Sequence, residues 1–279
     1  MNINELPWTG ERLVPSIKNY GAIEHLHRYA FAADFVENKI VADVASGEGY
    51  GSNILSQKAK MVIGIDINNE AVVHANTKYS NSKLKYLKGS ADQLPLESSS
   101  IDIFVSFETI EHIITQEQML SEIIRVLRKD GKLIISSPEK VNYQDKQTEE
   151  NYFHVKELYF GEFKNLINTY FKYSVFLKQK FVNGSFIVPF EFSNSFVNYH
   201  GDYTNITKSK TIEEPTFNIC IASNELFAYQ ECSFFDLGDF QSNIRNEYEE
   251  AYNQILNSKT YKLSKKISLP FRIIRKFLK

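Results

Sequence analysis

The chain has 279 residues, is 43% hydrophobic and carries a formal net charge of −2. That length buries one full α/β core and leaves room for accessory segments, and the charge balance gives no reason to expect a nucleic-acid partner. No apolar stretch is long enough to span a bilayer, and the polar start (Asn2, Asn4, Glu5) has no apolar signal region. Cys220 and Cys232 show no metal or redox spacing, so a reducing cytoplasm is the expected setting.

Residues 8–15 read as an ordered loop bearing Trp8, Glu11 and Arg12. Residues 24–32 read as a helix, with Leu26, Tyr29, Ala30, Ala33 and Phe35 or Val36 facing inward. Residues 41–44 form a short apolar run containing Asp43, and it opens into Ala45-Ser46-Gly47-Glu48-Gly49-Tyr50-Gly51. The small residues let a backbone approach a ligand closely. A carboxylate at the mouth of such a turn repels phosphate and attracts a cation, which suits a ligand with a positive amine and a positive sulfonium. The spacing of a dinucleotide fingerprint fails as well: counted from Gly47 its third glycine falls on Ser52, and counted from Ala45 on Tyr50. The lysine of a phosphate-binding loop is absent.

A second apolar run, residues 61–65, ends at Asp66, close to the spacing at which an acid meets ribose hydroxyls in a Rossmann-like unit. An ionised carboxylate only accepts, and two vicinal hydroxyls are two donors. Further runs cover 84–88, leading to Ala91 and Asp92; 101–107, leading to Glu108, Glu111 and His112; and 133–136, ending at Pro138. Thr115 and Gln118 match a capping box, and Met119, Ile123, Val126 and Leu127 give a helix face that stops at Asp130-Gly131. Residues 157–167 suggest a helix before Phe171. Residues 176–182 and 217–222 supply two last strands, an antiparallel pair. The alternation predicts an α/β fold: a Rossmann-like, seven-stranded, mostly parallel sheet with helices on both faces and an antiparallel last strand.

These motifs in combination resemble the class I S-adenosylmethionine (SAM)-dependent methyltransferases over roughly residues 25–225. Ala45 stands where that family usually has its first glycine. The resemblance implies that Asp43 holds the methionine ammonium through the turn or a water. It also implies that the backbone of Ala45, Ser46 and Gly47 lies against the methionine, that Asp66 takes the ribose, and that Ile67 packs on adenine. Ala91 and Asp92 then read the adenine amine edge, and Phe107 and Glu108 face the methyl donor. The leader is similar to that of bacterial methyltransferases of cell-surface polysaccharide and glycosyltransferase pathways. This implies that Arg28 and Tyr29 lie over the methionine end of SAM, with Trp8, Glu11 and Arg12 closing the acceptor pocket.

A hydroxyl acceptor must lose its proton, so His112 and His154 are candidate bases beside Glu108. Glu108, Glu111 and His112 also resemble the metal motif of ubiquinone-pathway and small-RNA O-methyltransferases, which implies magnesium or another divalent ion. The expected acceptor is a saccharide or nucleotide-linked glycan precursor, with a small quinol, or a non-catalytic SAM-binding scaffold, as alternatives. The expected organisation is a cap over residues 1–36, a methyltransferase domain over 37–225 with an aromatic insert at 189–215, and a helical, basic extension over 226–279. Residues 262–279 hold seven basic residues and no acid, which suits an anionic membrane surface or a partner glycosyltransferase.

Overall fold

In the computed structural model, residues 6–7, 12–143, 145, 151–190, 197–201, 206–237 and 240–262 are described. The chain runs α1 (Tyr20–Ala33), β1 (Ile40–Val44), α2 (Tyr50–Ser56), β2 (Met61–Asp66), α3 (Asn69–Lys78) and β3 (Leu84–Lys88). It continues with β4 (Ile101–Ser106), a 3-10 turn (Ile110–His112), α4 (Gln116–Val126), β5 (Leu127–Pro138), α5 (Lys140–Tyr143) and α6 (Phe160–Tyr170). Last come β6 (Tyr173–Phe181), β7 (Ser185–Pro189), β8 (Asn198–Gly201), β9 (Ile206–Ser209), β10 (Phe217–Ser223), β11 (Ser233–Phe235) and α7 (Phe240–Asn257).

All seven expected strands form, and the sheet they build is extended at one edge. Its order is β11-β7-β6-β10-β5-β4-β1-β2-β3. The pairs β1–β2, β1–β4, β2–β3 and β4–β5 are parallel, and β10 lies antiparallel between β5 and β6. The seven strands from β6 to β3 in that order are therefore those foreseen. β7 and β11 add two antiparallel strands, and β8 with β9 forms a separate hairpin inside the expected insert. These four are too short, or too weakly alternating, to read as strands by pattern.

The central strands are buried on both faces, which is why they read as continuous apolar runs. Successive side chains go to opposite sides. Ala42, Val44, Ile63, Ile65, Phe104, Leu133 and Ile135 pack under α4 and α6, through Ile123, Phe163 and Ile167. Val41, Val62, Ile103, Val105, Ile134, Ile219 and Ile221 pack under α1 and α2, through Phe31, Ala32 and Leu55. Each fully buried side chain of this size contributes roughly 1.5–3 kcal/mol.

Three local expectations are corrected. Ala30 is exposed, because α1 turns Ile23, His27, Arg28, Phe31 and Ala32 inward instead. Thr115 is the N-cap of α4, but its hydroxyl donates to Asp92 Oδ2 (2.6 Å) and makes no cap bond, so the capping box does not form. α4 also passes straight into β5 at Leu127, upstream of Asp130-Gly131. The register absorbs this: Ile101 pairs with Leu127 and Ile103 with Lys132, so the residues between 127 and 132 bulge out of the ladder.

β1 is the switch point of the sheet, because the chain leaves it toward β2 and β3 on one side and toward β4 and β5 on the other. The crevice beyond the carboxyl ends of β1 and β4 is where such folds bind ligands. The glycine-rich turn follows β1, Phe107 and Glu108 follow β4, and Asp66 ends the neighbouring β2.

Candidate active site

A cavity of about 450 Å³ opens at the switch point. Its lining includes Tyr29, Ala45, Ser46, Gly47, Asp66, Phe107, Glu108, Glu111, His112 and His154, so one cleft gathers most of the expected site. Arg12 also lines it, with its side-chain carbons packed over Gly47. Trp8 and Glu11 lie outside the described residues.

The donor end is built by the turn after β1. Ala45, Gly47 and Gly49 all have positive φ (61°, 57° and 99°). This curl points the Gly47 N–H at Asp66 Oδ2 (2.8 Å), while the Asn68 N–H, two residues beyond β2, donates to Asp66 Oδ1 at 2.8 Å. Each carboxylate oxygen keeps a lone pair for a ribose hydroxyl. Glu48 ties the turn down. Its buried carboxylate accepts from Lys78 Nζ (2.7 Å) and Tyr79 Oη (2.7 Å) and meets His74 Nε2 at 2.9 Å, while Tyr86 Oη donates to the Gly49 carbonyl at 2.7 Å.

Asp43 lies one layer deeper. It is 1% exposed and accepts from Ser52 Oγ (2.6 Å) and Tyr29 Oη (3.2 Å). Burial pushes its carboxyl up to about 6, partly opposed by those two hydrogen bonds. Arg28 is likewise buried behind the lining. It donates to Gln179 Oε1 at 2.6 Å, lies over the Phe217 ring at 4.7 Å and stands 4.0 Å from Glu108 Oε1. Ile67 (70% exposed), Ala91 and Asp92 are not part of the cavity lining, and Asp92 is engaged by Ser90 and Thr115.

The acceptor end is built by the segment after β4 and by residues 151–157. Glu108 has φ 51°, a strained value for a residue with a Cβ, and Ser136 Oγ donates to its Oε1 at 2.6 Å. The Glu111 carbonyl accepts from Val155 N–H and Lys156 N–H, and Gln116 Nε2 bridges the carbonyls of Ile110 and Lys156. This clasp brings His154 beside His112, with ring centroids 4.9 Å apart. His112 Nδ1 lies 2.9 Å from the Phe153 carbonyl, and His154 Nδ1 is bonded to Glu157 Oε1. Tyr143 stacks on His154.

Glu111 is fully buried, and neither carboxylate oxygen has a hydrogen-bond partner. Burial, reinforced by the charge of Glu108, raises its carboxyl well above the ordinary range. Burial also pushes Glu24, another lining acid, up to about 7, against the pull of Arg28. One ligand atom from each of Glu111, His112 and His154 falls within 4.8 Å of the others. Glu108 is outside that set, so the expected trio of Glu108, Glu111 and His112 does not converge.

Glu24, Tyr143, Asn151, Glu157 and Phe217 contribute to the site without having been foreseen. They come from four separate segments, and only the Glu-to-His spacing of three residues between His154 and Glu157 was visible in the chain.

The cavity fits SAM on its own chemistry. Ser46 Oγ is buried in the lining without a hydrogen-bond partner, and Asp66 presents acceptors to a diol. Residues 42–135 match the family described as "Methyltransferase domain". A "Probable S-adenosylmethionine-dependent methyltransferase" of Mycolicibacterium smegmatis is 34% identical over 167 residues, covering 59% of this chain and 64% of that protein. The "Ubiquinone/menaquinone biosynthesis C-methyltransferase UbiE" of Campylobacter jejuni is 35% identical over 102 residues, covering 34% of this chain and 43% of that one. The chain thus spans less than two thirds of the length of either relative. Among solved structures, a SAM-dependent methyltransferase of Thermotoga maritima, described as a "possible histamine N-methyltransferase", superposes with a TM-score of 0.54 at 18% identity, covering 73% of this chain and 91% of that one. Residues 42–135 thus match the methyltransferase-domain family, and the sheet built around them has the Rossmann-like fold of SAM-dependent methyltransferases.

Proposed function

We propose that the protein transfers a methyl group from SAM to a hydroxyl oxygen of a saccharide or nucleotide-linked glycan precursor in cell-surface polysaccharide synthesis. The observation that carries this reading is one cavity that joins a glycine-lined end, where Asp66 presents carboxylate acceptors, to an end lined by imidazoles and carboxylates.

When bound, SAM supplies a methyl group on an already activated sulfonium, so the protein's work is positioning and desolvation. Asp66 and the Gly47 backbone fix the ribose side, and Asp43 adds negative potential behind the turn. Tyr29 and Phe107, edge to face at 5.2 Å, wall the cleft between the two ends. Glu108, His112 and His154 are the groups able to receive the proton of an acceptor hydroxyl. Tyr143 and Asn151 give the acceptor end the mixed ring and hydrogen-bonding character that suits a sugar. Residues 1–36 are assigned as the cap of this cleft. Residues 226–279 are assigned as an extension whose basic end (262–279) meets a membrane surface or a glycosyltransferase. Residues 263–279 lie outside the described ones, and no helix among the described residues is long and apolar enough to cross a membrane.

The test is release of S-adenosylhomocysteine from SAM, measured with nucleotide sugars and oligosaccharides, with a quinol, and with no acceptor. Sugar-dependent release is expected. The likeness to UbiE favours a second reading, methylation of a quinol-like acceptor, and release only with the quinol would replace the first.

A further inference from the structure

We propose that Glu111, His112 and His154 form a binding site for one divalent first-row transition-metal ion at the acceptor end of the cleft. Three observations converge on it.

The first is the ligand set itself. Two imidazoles and one carboxylate place a ligand atom each within 4.8 Å of one another, on the wall of an open cavity. Two nitrogens and an oxygen suit manganese, iron, cobalt or zinc, whereas magnesium prefers an all-oxygen shell.

The second is the support behind each imidazole. A metal-bound histidine almost always donates its second ring N–H to a carboxylate or a backbone carbonyl, which fixes the tautomer and the ring plane. His112 has the Phe153 carbonyl at Nδ1, and His154 has the Glu157 carboxylate at Nδ1. Both rings are thus arranged to turn Nε2 toward the cluster, and His112 Nε2 is 3.8 Å from Glu111 Oε1.

The third is the unmet demand of Glu111. Its carboxylate is fully buried, both oxygens lack hydrogen-bond partners, and other acids (Glu24 and Glu108) line the same cavity. An ionised carboxylate in that position costs several kcal/mol unless a cation meets it or a proton neutralises it. Arg28, a buried guanidinium behind the lining, directs its Nη1 at Gln179 and Glu108 and makes no hydrogen bond or ion pair with Glu111.

The role of the ion rests on the methyl-transfer reading, although its binding does not. Its open positions would hold acceptor oxygens and lower a hydroxyl pKa. The O–H bond breaks, and its proton passes to the Glu108 carboxylate. The oxygen forms its bond to the methyl carbon while the carbon–sulfur bond breaks, and the electron pair goes to sulfur as S-adenosylhomocysteine leaves. The histidines then hold the ion, and Glu108, outside the ligand set, takes the proton.

The test uses the full chain, stripped with chelator and titrated with cobalt(II), whose d–d absorption reports a protein nitrogen shell. One equivalent is expected to bind the wild type. Glu111→Gln and His154→Asn should each lose the band at matched concentration. Glu157→Gln should weaken binding by about 10–100-fold. Glu108→Gln should keep it, which separates this site from one built on Glu108. A SAM titration by calorimetry on each variant checks that the donor half still folds. Absence of a band at millimolar cobalt, or a band that survives His154→Asn, overturns the proposal. Cobalt binding without SAM binding would instead leave the site standing and remove the methyl-transfer reading.

Discussion

Replacing Asp43 with Asn separates what this side chain does for the ligand from what it does to the fold. Its carboxyl is raised from 3.8 to about 6, mainly by burial, with Asp66 adding to the rise. A raised folded value means that the folded state holds a proton which the unfolded chain has already released. Stability therefore falls as pH rises from about 4 to about 6 and is flat above that. The full cost of the ionised form at pH 8 is about 3 kcal/mol, and the wild type recovers about 1.4 kcal/mol of it by pH 5. Asn cannot ionise. Its oxygen accepts from Ser52 or Tyr29, and the other hydroxyl must rotate to accept from its amide. Urea denaturation should then find Asp43→Asn more stable than wild type at pH 8, with the advantage shrinking by about 1.4 kcal/mol at pH 5. Taking the difference between variant and wild type cancels Glu24 and Glu111, which titrate in the same direction. SAM affinity at pH 8 should drop at least tenfold, because the negative potential behind the turn is gone. An advantage of equal size at both pH values, or an unchanged SAM affinity, would refute the reasoning.

Ala45→Gly removes the strain of a φ of 61° at a residue with a Cβ, so stability should rise by about 0.5 kcal/mol with SAM affinity unchanged; a loss above about 1 kcal/mol in urea would contradict this. Gly51→Ala drives a methyl into the Tyr29 ring, the ring that bonds Asp43. It should cost about 1–3 kcal/mol and weaken SAM binding, despite the better helix propensity of alanine. Sedimentation with vesicles rich in anionic lipid should pull down the full chain more than a chain ending at Ser258, and equal binding by both sinks the membrane role of the basic end.

The parallel core was legible because its strands are buried on both faces and leave long apolar runs. The strand-end acids were legible because Asp66 and Glu108 each directly follow such a run. β7, β11 and the β8–β9 hairpin left no comparable trace: β11 has three residues, and its value lies in contacts such as that between His27 and Ser233 across 206 positions. The donor end could be read because one turn and one strand end build most of it. The acceptor end depends on a clasp between the 3-10 turn and residues 151–157, and no local pattern encodes it. For the same reason Glu108 seemed a partner of Glu111, whereas the fold turns it toward Ser136 and Arg28 and brings in His154.

The central claim is that the cleft at the β1 switch point is a SAM site whose ribose acceptor is Asp66. Calorimetric titration of the full chain with SAM, beside the Asp66→Ala variant, tests it most directly. Binding of one equivalent by the wild type, and a loss of at least tenfold in a variant that still unfolds cooperatively, is the predicted result. No binding by the folded wild type, or equal affinity in both proteins, would contradict the account.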